Sequence, residues 1–138
     1  MDTASRPRAL VIDDDAAMRE MVACMLDCAG FEAEAAADAD AALFALQARP
    51  YAVAVCDLHM PRRDGLEFTR AAHRIRPATP VVLMTSFGCD RTRADGAAAG
   101  AIGLLSKPFS IRELREAVAT ALARTPAPAR RSPAAPKP

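Results

Sequence analysis

The chain has 138 residues, 51% of them apolar and 25% charged, which is enough for one domain with a sizeable core and too little for two of ordinary size. Eighteen basic against seventeen acidic residues give a net charge of +1, so no strong overall field points to nucleic acid or membrane. There are 33 Ala against five Phe, one Tyr and no Trp, which leaves a core of aliphatic side chains and closely packed Ala.

The segment Ala9 to Ile12 is a short continuous apolar run, and Asp13-Asp14-Asp15 follows it. Met18, Met21, Val22, Met25 and Leu26 then recur at three and four residues, predicting an amphipathic helix that stops at Gly30. Phe31 to Ala35 alternates apolar and acidic residues, a pattern that suits a strand at the sheet edge. An Ala- and Leu-rich helix over 41–48 follows, with Asp38 or Asp40 as its N-cap and Pro50 beyond its end. Ala52 to Cys56 is a second continuous run and leads into Asp57. Leu66, Phe68, Ala71, Ala72 and Ile75 mark a third helix, closed by Pro77.

Val81 to Met84 is another unbroken apolar run, followed by Thr85-Ser86. Residues 89–99 read as an Ala-rich helix with few large apolar side chains, expected to be the loosest. Ile102 to Leu105 predicts the last strand and is followed by Lys107-Pro108. Ser110 and Glu113 form a capping box for a final helix whose buried stripe is read as Ile111, Leu114, Val118 and Leu122.

Continuous apolar runs are the signature of strands covered on both faces. Strands alternating with helices predict an α/β fold, a doubly wound five-stranded parallel sheet joined by right-handed crossovers. Residues 1–124 are assigned to this domain. Residues 125–138, rich in Pro, Ala and Arg, bury too little to offset their ordering entropy and are read as a disordered tail. That tail holds three basic residues and no acid, so the remainder carries −2. No C-x-x-C pair and no 18-residue uncharged apolar stretch is present, which argues against a zinc site and a membrane span. The four cysteines are read as reduced, mostly buried thiols of a cytoplasmic protein.

Sites in such sheets lie beyond the carboxyl ends of the strands. Asp13, Asp14 and Asp57 meet there and repel one another unless a cation sits among them, and an oxygen-only donor set suits Mg²⁺. A lone ammonium, Lys107, and a hydroxyl, Thr85, supply donors at the same edge for an anion such as a phosphoryl group. Asp15 is read as a charge at the helix N-terminus rather than a site residue.

Over residues 6–124 the chain resembles the receiver domain of two-component response regulators. The stretch Val55-Cys56-Asp57-Leu58-His59-Met60-Pro61-Arg62-Arg63-Asp64-Gly65-Leu66 matches the phosphoacceptor strand and its Met-Pro-x-x-Asp-Gly turn. Val11-Ile12-Asp13-Asp14 and Lys107-Pro108-Phe109 complete the resemblance. It implies a flavodoxin-like (βα)5 fold in which Asp57 is the phosphoacceptor. Asp13, Asp14, Asp57 and the backbone carbonyl of His59 would hold Mg²⁺. Lys107 and Thr85 would contact the phosphoryl oxygens, and the Lys107–Pro108 bond would be cis.

A histidine kinase or histidine phosphotransfer protein would donate the phosphoryl group, and a downstream protein would read the switched surface. The domain itself would contact neither nucleic acid nor membrane, and helix four, strand five and helix five offer a homodimer face. The family often carries an aromatic switch residue where this chain has Leu104, and Leu has no ring to swing, so rotamer coupling does not carry over. His59 and Phe87 stand where the family tunes phosphate lifetime. Three further readings remain: the N-terminal receiver of a DNA-binding regulator, a receiver that binds without phosphorylation, and an aspartyl-phosphate hydrolase built on Asp13-x-Asp15. The last lacks the Thr or Val usual two residues further on, where Ala17 stands, and leaves Asp57 unexplained.

Overall fold

The computed structural model describes residues 6–124, so the tail expected to be disordered lies outside the described residues. Strands β1 (Arg8–Ile12), β2 (Glu32–Ala36), β3 (Val53–Asp57), β4 (Val81–Thr85) and β5 (Gly103–Ser106) alternate with five helices. These are α1 (Ala16–Cys28), α2 (Ala39–Ala48), α3 (Gly65–Ile75), α4 (Asp90–Ala99) and α5 (Ile111–Arg124).

All neighbouring strands pair in parallel, in the order β2-β1-β3-β4-β5. This is the flavodoxin-like order, with β2 on the edge as its alternating pattern implied. Side chains alternate across the central strands into two cores. Leu10, Ile12, Cys56, Leu83 and Phe68 pack with α2 and α3 on one face. Val11, Val55, Val82 and Met84 pack with Val22 and Leu26 of α1 and Leu114 and Val118 of α5 on the other. Because β3 and β4 are buried at every position, they read as unbroken apolar runs.

Element ends follow local chemistry. Asp15 caps α1 by accepting from the Ala17 N–H, and Asp38, not Asp40, caps α2 by accepting from Ala41. Ser110 and Glu113 exchange side-chain and backbone hydrogen bonds at 3.1 and 2.8 Å, the box expected for α5. Asp64 and Glu67 form a second box at α3 that the sequence reading did not pick out, although its D-x-x-E spacing is visible.

Several expectations about burial need correction. Met21 is 44% exposed, and the α1 face narrows to Val22 and Leu26 with Met18 and Met25 at its border. Ile111 and Leu122 are exposed on α5, whose inward stripe is Leu114, Val118 and Ala121. Of the four free cysteines only Cys56 is buried, because Cys24 and Cys28 turn away from the α1 core face and Cys89 precedes α4 at the surface. Helix α4 buries only Gly96 and Ala99, in keeping with its lack of large apolar residues.

Candidate functional site

Parallel strands place their carboxyl ends at one edge, so the residues closing β1, β3, β4 and β5 meet there. Asp57 and Thr85 are the last paired residues of their strands rather than the first beyond them, as their ladder partners Met84 and Ser106 show. Rigid backbone therefore holds both side chains.

One carboxylate oxygen from each of Asp13, Asp14 and Asp57 lies within 4.8 Å of the others, with Asp13 and Asp57 buried and Asp14 exposed. Among the described residues this is the only such group of three His, Cys, Asp or Glu side chains. The three consecutive aspartates are divided by role. Asp13 Oδ1 accepts from the Asp15 N–H at 2.9 Å, Asp15 caps α1, and Asp14 projects toward solvent. Arg19 reaches back from α1 and donates to the Asp13 carbonyl at 2.8 Å, tying the helix to the strand end.

Lys107 arrives from β5 and donates to Asp57 Oδ1 at 3.1 Å and Asp13 Oδ2 at 3.3 Å. Burial alone would lower the ammonium pKa, but the hydrogen bond and charge of Asp57, with the charge of Asp13, raise it overall. Asp57 is pushed above the ordinary carboxylate value by desolvation first and by Asp13 second, against the pull of Lys107 and the His59 N–H. One ammonium against three carboxylates leaves an electrostatic deficit. The donors are all hard oxygens on rigid supports, so the residues fit a small divalent cation such as Mg²⁺.

Thr85 is fully buried, and its Oγ1 accepts from the Phe87 N–H at 3.0 Å and lies 3.5 Å from His59 Nε2. The His59 and Phe87 rings meet edge to face at 6.0 Å, with Phe87 72% exposed at the rim. Leu104 lies away from this cluster, partly buried in β5 against the core that holds Phe68. The Lys107–Pro108 peptide is cis, as the resemblance implied. Gly65 closes the floor: a Cβ there would stand 2.6 Å from the Asp57 carbonyl oxygen and 2.7 Å from Leu58 Cα. Only a residue without a side chain lets α3 begin so close to the end of β3.

No helix among the described residues is long and apolar enough to cross a membrane. The family profile described as the response regulator receiver domain matches residues 9–119. Protein PetR of Rhodobacter capsulatus is 38% identical over 126 residues, which cover 91% of this chain and 53% of PetR. The transcriptional regulatory protein FixJ of Bradyrhizobium diazoefficiens is 36% identical over 112 residues, covering 81% of this chain and 55% of FixJ. The chain thus spans about half the length of these curated relatives. Among solved structures, the chemotaxis protein CheY4 of Vibrio cholerae superposes with a TM-score of 0.81 at 32% identity, covering 86% of this chain and all of that one.

Proposed function

The chain belongs to the response regulator receiver family of two-component signalling, and on that premise we propose that Asp57 is its phosphoacceptor. The observation that carries this is the junction of Asp57 with Lys107 and Asp13 at one sheet edge, within reach of Asp14. Asp57 Oδ attacks the phosphorus of a phosphohistidine on a histidine kinase or phosphotransfer protein. The P–N bond breaks, its electron pair leaves on the imidazole nitrogen, and that nitrogen takes up a proton.

Phosphoryl transfer asks the protein mainly to position groups and to neutralise charge. Asp13, Asp14, Asp57 and the His59 carbonyl are the groups assigned to Mg²⁺, which when bound supplies positive charge against the approaching phosphate. Lys107 moves from its Asp13 and Asp57 contacts to a phosphoryl oxygen. Thr85 donates its hydroxyl hydrogen to another phosphoryl oxygen and, still accepting from the Phe87 N–H, draws the β4–α4 loop with it, a small change at a two-state element.

The readout is a change of partners on the α4, β5 and α5 surface, where a downstream protein or a second copy docks. The domain acts as a cytoplasmic switch that supports its own phosphorylation and dephosphorylation, with no other substrate turnover. A second reading, the N-terminal receiver of a DNA-binding regulator, is favoured by the half-length match to FixJ.

Incubation with Mg²⁺ and acetyl phosphate tests the assignment. A stoichiometric base-labile label on the wild type that vanishes in Asp57→Asn is expected. Continuous phosphate release that depends on Asp13 and survives Asp57→Asn would overturn it in favour of a hydrolase. Binding of partners with no labelling at all would overturn it in favour of a phosphorylation-independent adaptor.

A further inference from the structure

Helix α1 carries sulfur at five of its thirteen positions: Met18, Met21, Cys24, Met25 and Cys28. At about 100° per residue, Met21, Cys24 and Cys28 fall on one stripe, on the side of the helix away from the buried Val22 and Leu26 face. Both thiols on that stripe are free and exposed, and Met21 is exposed with them. The core explains Met18 and Met25, which pack against it, but it does not explain the outward three.

Spacing restricts what the two thiols can do. Residues four apart on a helix hold their Cβ atoms roughly 5–6 Å apart, whereas a disulfide needs about 3.5–4.5 Å. The pair therefore resists closing on itself while the helix is intact. A single ion with metal–sulfur bonds of about 2.3 Å spans sulfurs up to about 4.6 Å apart, so it tolerates a wider pair than a disulfide does.

Donor chemistry then selects the ion. Zinc asks for four ligands in a tetrahedron, and the neighbouring acids are Glu20 and Asp27. Neither joins the thiols in a three-ligand group, and Asp27 already accepts from the Ala33 N–H at 3.1 Å. What remains is two thiols and a flexible thioether, the soft donor set that prefers Cu(I). The geometry points to a low-coordinate Cu(I) site on the outer face of α1, with Cys24 and Cys28 thiolates as principal ligands and the Met21 thioether as the third. Binding releases the two thiol protons, so affinity rises with pH.

The test titrates the full chain with Cu(I), kept reduced by ascorbate without oxygen, against the chromophoric chelator bicinchoninate. One ion per chain is expected, with a thiolate-to-metal absorption band in the ultraviolet. Cys24→Ser with Cys28→Ser should weaken binding by about a hundredfold, and Met21→Leu by roughly tenfold. Cys89→Ser removes another exposed thiol and should change nothing. Because both substituted cysteines are exposed, the double variant should keep the wild-type circular dichroism and thermal midpoint, which separates a lost ligand from a lost fold. Wild-type affinity no tighter than that of the double variant would overturn the site. An equal loss in Cys89→Ser would overturn its location, and four-coordinate Zn²⁺ binding abolished by Glu20→Gln would overturn the choice of metal.

Discussion

Adding one methyl group, Gly65→Ala, probes how closely the reacting end of β3 is coupled to α3. The new Cβ would meet the Asp57 carbonyl oxygen at 2.6 Å, Leu58 Cα at 2.7 Å and Leu83 Cδ2 at 3.1 Å, against ordinary contact from 3.4 Å. Leu83 can rotate, but the first two are backbone atoms, so α3 must withdraw from the strand by roughly 0.7 Å. Overpacking of this kind costs about 1–3 kcal/mol, and the better helix propensity of Ala returns up to about 1 kcal/mol. A net loss of about 1–2 kcal/mol follows. The shift also strains the 2.8 Å bond from the Gly65 N–H to the Leu58 carbonyl and moves Asp57 against Lys107. Displacements near 1 Å cost up to about a hundredfold in rate, so labelling by acetyl phosphate should slow by roughly tenfold. Urea unfolding followed by circular dichroism gives the first quantity, and initial labelling rates give the second. A variant as stable as wild type and labelled at the wild-type rate would refute the argument.

In metal-free buffer Asp57→Asn should raise the thermal midpoint at neutral pH, because burial and Asp13 raise the Asp57 pKa and disfavour its charged form. Added Mg²⁺ should stabilise the wild type more than that variant, and equal Mg²⁺ responses would count against Asp57 as a ligand. Arg62 sits at φ 68°, a conformation that favours Gly, so Arg62→Gly should stabilise by roughly 0.5–1 kcal/mol in urea unfolding. Tyr51 donates to Glu34 at 2.6 Å, and burial first, then Glu34, raises its pKa to about 12. A folded pKa above the ordinary 10.0 means stability that is complete below pH 10 and is lost as pH rises through about 12, and Tyr51→Phe should abolish that alkaline component. Glu34 behaves oppositely. Burial would raise its pKa, but Tyr51, Arg49 and Arg8 lower it overall, so its contribution is lost as pH falls through the depressed value. Urea midpoints across pH check both signs. Phe87→Glu replaces an exposed ring with a carboxylate able to orient water at the site mouth, and should shorten the phosphate lifetime severalfold; equal dephosphorylation rates would remove Phe87 from that role.

The architecture was legible because β1, β3 and β4 are buried on both faces and so leave unbroken apolar runs. β2 showed only as a weak alternation, and its burial is uneven rather than one-sided, with Ala36 in one core, Ala33 against the other and Ala35 exposed. Strand ends slipped by a residue because Asp57 and Thr85 are polar yet still paired in the ladder, which hydropathy alone does not reveal. The α5 stripe was misplaced because Ile111 and Leu122 share helical spacing with Leu114 and Val118, and spacing does not say where the sheet stops covering a helix. Asp13, Asp57 and Lys107 were read together only through topology, since their contacts join positions 94 and 50 residues apart. The His59–Phe87 ring contact had no sequence signal beyond each residue's place two positions after a site residue.

The two borders of the sheet bear on self-association in different ways. At one, β2 sets an exposed Glu32 on its rim and anchors Glu34 to Arg8 and Arg49, so an approaching strand meets charge before it meets backbone. At the other, β5 runs for only four residues and carries no charged side chain between Gly103 and Ser106. Its guards are its shortness and the charges of the helices beside it, Arg93 of α4 on one side and Glu113 and Glu116 of α5 on the other. Raising salt therefore weakens the guard at both borders, but at β2 the charge stands on the strand itself, whereas at β5 it is borrowed from α4 and α5 and would move with those helices.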